Sequence, residues 1–350
     1  MTTIDRRSFI RTSVMGGIAA SVIRPSFLSA NPAVQAAGPS SVALTTGDNR
    51  ADLAFRALQP YSKQIKMAIG NKRVILKPNN VSIDIPLCAT HVDTLEGVLE
   101  FLKSIKKTEN VWIAESAANG PSFDGFSNYG YYKLADKYQV KFMDLDQEGY
   151  EIVHVFDEKD FRPHPVRYSK VLLNPDTYIV SVARMKTHDR AVVTLSLKNV
   201  IVSGPIKDQG FSWGPNRKAG AKSDKALIHG SGYRGINYNL YDMAKRVHPH
   251  LAVIDGFEGM EGNGPNNGTP VDHRVCVVST DWLAADRVGA ELMGVDFSNI
   301  GYLNFCGQAG MGETDLNKIE IIGESIASKR KVYKLSDNID KQLVWMKPAV

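Results

Sequence analysis

Only three cysteines occur in 350 residues, Cys88, Cys276 and Cys306, and no two of them form a Cys-x-x-Cys pair. With that spacing neither a zinc ribbon nor an iron-sulfur cluster can be argued from this chain. The chain has no strand-linked G-x-G-x-x-G with its acidic partner and no G-x-x-x-x-G-K-[ST], so nucleotide binding is disfavoured. Ser196 lacks the G-x-S-x-G setting of a hydrolase nucleophile. No apolar run is long enough to span a bilayer, and no period repeats.

The formal net charge of +5 is concentrated at the N-terminus. Arg6 and Arg7 precede Ser8, Phe9 and Ile10, followed by a weakly apolar run from Val14 to Ile23, Arg24, and small residues near Ala36. This is the pattern of a cleaved twin-arginine export signal over residues 1–36, with an ordinary basic N-terminus as the alternative. Its removal takes away four arginines and Asp5, which leaves +2 on residues 37–350. A nucleic-acid partner is therefore not indicated, and the mature chain carries no transmembrane anchor. The expected location is periplasmic or otherwise extracytoplasmic, with the twin-arginine translocase as a partner during export. That route often serves proteins folded around a cofactor, so a metal or cofactor gains weight. An oxidising compartment would permit a disulfide such as Cys88 to Cys306, although spacing does not select that pair. Cys276, in the run VCVVS, reads as core.

From Ser41 onward strand-like and helix-like segments alternate. That rhythm predicts one large α/β domain over 37–350, with a mainly parallel, mixed sheet and helices on both faces. Asp52–Ile69 carries a helical stripe broken at Pro60, and Thr90 stands where it could cap a helix over 91–105. Two strands are expected between 152 and 173. Residues 202–236 break the rhythm with nine glycines and prolines and a local charge of +4, six basic residues against Asp208 and Asp224. Such a stretch reads either as a basic lid or as a solvated insertion.

The stretch Tyr178–Asn199 is the organising one. A buried apolar strand ends in a polar knot, Arg184, Lys186, Thr187, His188 and Asp189, where open α/β sheets bind ligands. After the knot, Val193, Leu197 and Ile201 fit a helix, while Val193, Leu195 and Leu197 fit a strand; the helix is preferred.

Several ordered motifs resemble the family catalogued as domain of unknown function 362. They are Lys77-Pro78-Asn79, Arg184 to His188, Thr194 to Asn199, and the run from Asp255 through Gly262 and Gly264 to Pro265. Some members of that family are joined to ferredoxin-like modules. The cysteine spacing for such a cluster is absent here, and the resemblance brings no assigned catalytic residues.

The chemistry must come from the side chains. Lys77, Glu115, His188 and Asp255 each follow an apolar strand segment, and parallel strands would bring them to one edge. Carboxylate and imidazole together suit a divalent metal, with Glu115, His188, Asp255 and Glu258 as ligands. Lys77, Lys186, Lys198 and His188 would handle a proton. Asn79, Asn199, Arg184, His229, Gly262 and Gly264 would hold a small anionic substrate. Against this, His188 could be a satisfied structural residue, Asp255 and Glu258 could cap a turn, and the glycines could simply make turns. Hydrolysis, elimination and isomerisation all fit these groups. A non-catalytic protein that binds or matures a ligand or metal is the alternative.

Overall fold

Short runs of β-branched and apolar residues set the strands: β1 (Ser41–Thr46), β2 (Arg73–Lys77), β3 (Val111–Glu115), β4 (Lys141–Asp144), β5 (Tyr150–Asp157), β6 (Arg162–Ser169), β7 (Thr177–His188), β8 (Val192–Thr194), β9 (Leu251–Asn263), β10 (Asn267–Ser279) and β11 (Glu320–Gly323). The structure is a computed structural model that describes residues 39–213 and 217–348. The expected signal over 1–36 therefore lies outside the described residues.

The main sheet runs β11-β1-β10-β9-β7-β2-β3-β4, with β8 beside β7. Pairs β11/β1, β9/β7, β7/β2, β2/β3 and β3/β4 are parallel, while β1/β10, β10/β9 and β7/β8 are antiparallel. The sheet is thus mixed and mainly parallel, as expected. Alternation along each strand feeds two cores. Ile75, Ile179 and Ile254 face one layer; Val74, Leu76, Val180 and Val253 face the other. Burial on both faces explains why β7 reads as almost continuously apolar before its polar knot.

The helices used below are α1 (Arg50–Leu58), α2 (Ser62–Ile69), α3 (Val92–Ser104), α4 (Ser196–Ile201), α5 (Tyr233–Ala244) and α6 (Trp282–Leu292). Pro60 sits in a single 3₁₀ turn that separates α1 from α2. Helices α1 and α3 touch at their backbones, since a Cβ added to Gly97 would lie 2.2 Å from the Ala51 carbonyl oxygen. The cap of α3 is His91, whose Nδ1 accepts from Asp93 N at 3.2 Å. Thr90 does not cap it; its hydroxyl accepts from Asn79 N and donates to the Val182 carbonyl, tying the segment after β2 to the middle of β7.

Three expectations are corrected. Val192–Thr194 is a strand and the helix begins only at Ser196, so both competing readings of that stretch hold in part. The glycines of Gly256–Gly268 do not simply make turns but run through the β9–β10 hairpin, which pairs from Ala252↔Ser279 to Asn263↔Asn267. The 202–236 segment is not wholly solvated either. Arg167 holds Asp208 and Asp224 at 2.7 and 3.0 Å, and Lys207 pairs with Asp146 at 2.8 Å. Ile206, Phe211, Lys225 and Ile228 are buried, and α5 begins at Tyr233.

The two strands expected in 152–173 form a separate sheet, β5 with β6. Pro163 and Pro165 lie within β6, where an edge strand tolerates a missing N–H. All three cysteines are free and buried, and Cys276 is in the core as expected.

Candidate active site

The carboxyl edge of the parallel strands carries most of the expected residues, but in separate groups. Lys77 at the end of β2 lies opposite Ser181, whereas His188 is seven residues further along β7. At about 3.3 Å per residue that is roughly 23 Å of strand. Strand length therefore keeps His188 away from Glu115.

The first group is a closed polar seam. Lys77 Nζ donates to Glu115 Oε2 at 2.8 Å and to Asn199 Oδ1 at 3.3 Å, with both charged partners almost fully buried. Burial pulls the Lys77 amine below its ordinary range, while Glu115 opposes that shift. Glu115 is saturated, since its oxygens also accept from Asn80 N at 2.8 Å and Ser116 N at 2.9 Å. Asn199 braces β2 to β7: its Nδ2 donates to Lys77 O and Ser181 Oγ, and its Oδ1 accepts from Asn79 Nδ2 at 3.0 Å. Asn79 Oδ1 and Asn80 Nδ2 remain buried without partners beside a cavity of about 30 Å³. That volume holds about one water.

The second group continues from the seam along β7 and α4. Lys186 is fully buried and donates to the Cys88 carbonyl at 2.7 Å; burial lowers its pKa to about 8. Lys198, on the first turn of α4, makes no hydrogen bond among the described residues and is 3 % exposed. Burial, then the neighbouring Lys186 charge, bring it to about 7, with Asp189 opposing. His188 and His229 face the same Lys198 charge, and burial keeps both imidazoles neutral, His229 near 4. His188 Nδ1 accepts from Arg190 N at 2.9 Å, which leaves Nε2 as its donor. His229 Nδ1 meets the Lys225 carbonyl at 3.0 Å, so its Nε2 is an acceptor. An amine lowered by burial to about 7 thus lies beside one imidazole that donates and one that accepts. Such a set can hold an anion and move a proton.

The remaining residues are placed elsewhere. Arg184 is spent on structure, donating to the carbonyls of Ala89, Glu258 and Pro86 at 2.8, 2.6 and 3.1 Å. Asp255 accepts from Thr94 Oγ1 at 2.7 Å and Phe257 N at 3.0 Å, near Arg50. Gly262 and Gly264 form no anion nest, since Gly262 N donates to Lys334 O and Gly264 N to Gly262 O. Glu115, His188, Asp255 and Glu258 are not brought together, and among the described residues no three His, Cys, Asp or Glu side chains form a metal-ligating group. Among the described residues Glu115 is saturated by donors, and Asp255 accepts from Thr94 and Phe257 N, so neither carboxylate is free for a metal.

Sequence reasoning missed several residues. Asp286 of α6 is fully buried and accepts from Ser196 N and Leu197 N at 2.7 and 3.0 Å, capping α4; burial raises it to about 7. Only the tertiary contact reveals it. A G-x-G-x-x-G does occur at Gly230–Gly235, but it follows a 3₁₀ turn and not a strand. Glu158 Oε2 accepts from Gly235 N at 2.7 Å there, so a carboxylate already occupies the start of α5.

Comparison with known proteins places these motifs. The chain is similar to the thylakoid-associated protein sll1697 of Synechocystis sp., 23% identical over 245 residues that cover 69% of this chain and 70% of that protein. Among the described residues no helix is long and apolar enough to cross a membrane. The family model described as Domain of unknown function (DUF362) matches residues 74–291, a span that includes the polar seam, both site lysines and Asp255; the chain belongs to that family.

Proposed function

We propose that this is an exported protein which takes a small anionic ligand against Lys186 and Lys198 and uses the Lys198 amine to accept and return a proton. One observation carries the reading: Lys198, only 3% exposed, makes no hydrogen bond among the described residues and lies beside a second lysine and two neutral histidines. Desolvating an amine there opposes folding, and Asp189 offsets only part of that cost. An anionic group would satisfy it. Elimination or isomerisation next to a carboxylate or phosphate needs such a base with a pKa near neutrality, and hydrolysis can use the same base to activate water. The twin-arginine pattern at Arg6 and Arg7 supports export.

The test is ligand protection against heat. Phosphate, sulfate and small carboxylates are titrated into wild type and Lys198→Met. At least one should raise the wild-type Tm, more strongly as pH falls through 7, because the ammonium then meets the anion. Lys198→Met should lose that response. Equal protection of both proteins would refute the site.

A second reading, a non-catalytic carrier, is favoured by His188, whose Nδ1 is already engaged by the Arg190 amide. It expects the same protection without turnover. Metal analysis of natively exported protein adds a separate readout, since a carrier of metal would retain one.

A further inference from the structure

We propose that the cavity between the β1–α1 turn, the start of α3 and the middle of β9 binds a small zwitterion, a free α-amino acid or short peptide, with its carboxylate inward and its ammonium outward. This cavity, about 420 Å³, lies on the same carboxyl edge as the lysine site but uses none of its residues. Its size suits a small organic ligand.

The inner wall is the Arg50 guanidinium, one of whose nitrogens lacks a hydrogen-bond partner. The Arg50 side chain is only 9% exposed, and its buried Nε has no hydrogen-bond partner. The nearest carboxylate oxygen, Asp255 Oδ1, is 3.6 Å away, beyond hydrogen-bond length, and is already bonded to Phe257 N. The Phe257 ring, 4.7 Å from the Arg50 guanidinium carbon, fixes the position of that group. A guanidinium held in this way presents a planar fork that matches a carboxylate.

Two helices reinforce that polarity. Both α1 and α3 begin at the cavity, and their caps Asn49 and His91 line it. Each cap takes one amide, Asp52 N and Asp93 N, and leaves earlier ones in the first turn. The positive ends of both helices therefore favour a negative group on the floor. The contact of Gly97 with Ala51 brings the two ends this close.

The rim has the opposite sign. Asp93 and Glu258 are each 45% exposed and line the opening, and Asp48 beside them is held by Arg274. A simple anion would be repelled by these carboxylates on entry, and a simple amine would leave Arg50 unsatisfied. A molecule carrying both charges satisfies floor and rim together.

The twenty protein amino acids and glycylglycine are titrated by calorimetry into the full mature chain. The best binder is then compared with its decarboxylated amine and its deaminated acid. At least one probe should bind, and each single-charge analogue should bind at least tenfold more weakly. Arg50→Met should abolish binding. Glu258→Gln, on the exposed rim, should weaken the zwitterion while strengthening the deaminated acid, which keeps the test decisive if Arg50→Met does not fold. Absence of binding by every probe, or a single-charge analogue binding as tightly as its parent, would overturn the proposal. Lys198→Met should bind the zwitterion like wild type, so this site and the lysine site stand or fall separately.

Discussion

Two buried groups with displaced pKa values set the clearest residue-level expectations. Lys198 titrates near 7 in the fold, against an ordinary lysine value of 10.5. The unfolded chain therefore holds a proton that the folded one sheds between those limits, and stability rises with pH across that window. Lys198→Met should be at least as stable as wild type, with its advantage largest below pH 7 and shrinking as pH rises; urea titrations at several pH values measure it. Asp286 behaves in the opposite sense. Its folded pKa is raised from 3.8 to about 7, so its contribution is full below the unfolded value and is lost as pH climbs through 7. Asp286→Asn should flatten that slope, and it should cost ~1–3 kcal/mol because an amide oxygen can replace only one of the two acceptors for Ser196 N and Leu197 N. Lys77→Met belongs here too. It leaves Glu115 buried and unpaired, and chemical denaturation should show a loss of about 3–5 kcal/mol.

At the scale of elements, β7 and the segment after α4 behave differently from a simple strand followed by a free loop. β7 outruns its neighbour β2 by seven residues and folds back through β8, so its polar end lies in a hairpin. His188 accepts the Arg190 amide in that turn, which gives it a structural task alongside any role with a ligand. The loop from 202 to 236 is pinned at both ends by buried Lys207 and Lys225, leaving 217–222 as its most accessible described part, where Lys218 and Lys222 are exposed. Brief trypsin treatment should cut after Lys218 or Lys222 and spare Lys207 and Lys225, with mass spectrometry locating the cuts. Protection of those sites by an anion that also raises the Tm would make the short stretch a lid. Cutting first at Lys207 or Lys225 would contradict the packing described here.

For the molecule as a whole, the mixed sheet places two chemically different candidate sites on one carboxyl edge. One is a lysine-rich seam under β2, β7 and α4, and the other an arginine floor under β1, α1 and α3. Export belongs to this scale as well. Replacing Arg6 and Arg7 with lysine keeps the charge but removes the paired guanidinium groups; the precursor should then accumulate in the cytoplasm, read by fractionation, while folding stays intact. Unchanged periplasmic yield would remove export from the reading.

The local alternation of apolar runs was enough to determine the α/β class and the mainly parallel sheet, because each strand buried on both faces carries its own signature in Val, Ile and Leu. The break at Pro60 and the importance of Tyr178–Asn199 were legible for the same reason: a fixed φ and an abrupt change from apolar to polar are properties of neighbouring residues. The strand ends were legible one at a time, but their grouping was not. Whether Glu115 meets Lys77 or His188 depends on how far β7 extends past β2, and register is a relation between strands that no single segment encodes. Asp286, Glu158 and Arg50 gave no signal, since each acts on residues 77 to 205 positions away in the chain. The sequence therefore determined the elements and the edge on which chemistry gathers. Only tertiary packing decided which polar groups are hydrogen-bonded there and which, the Lys198 amine and Arg50 Nε, find no partner among the described residues.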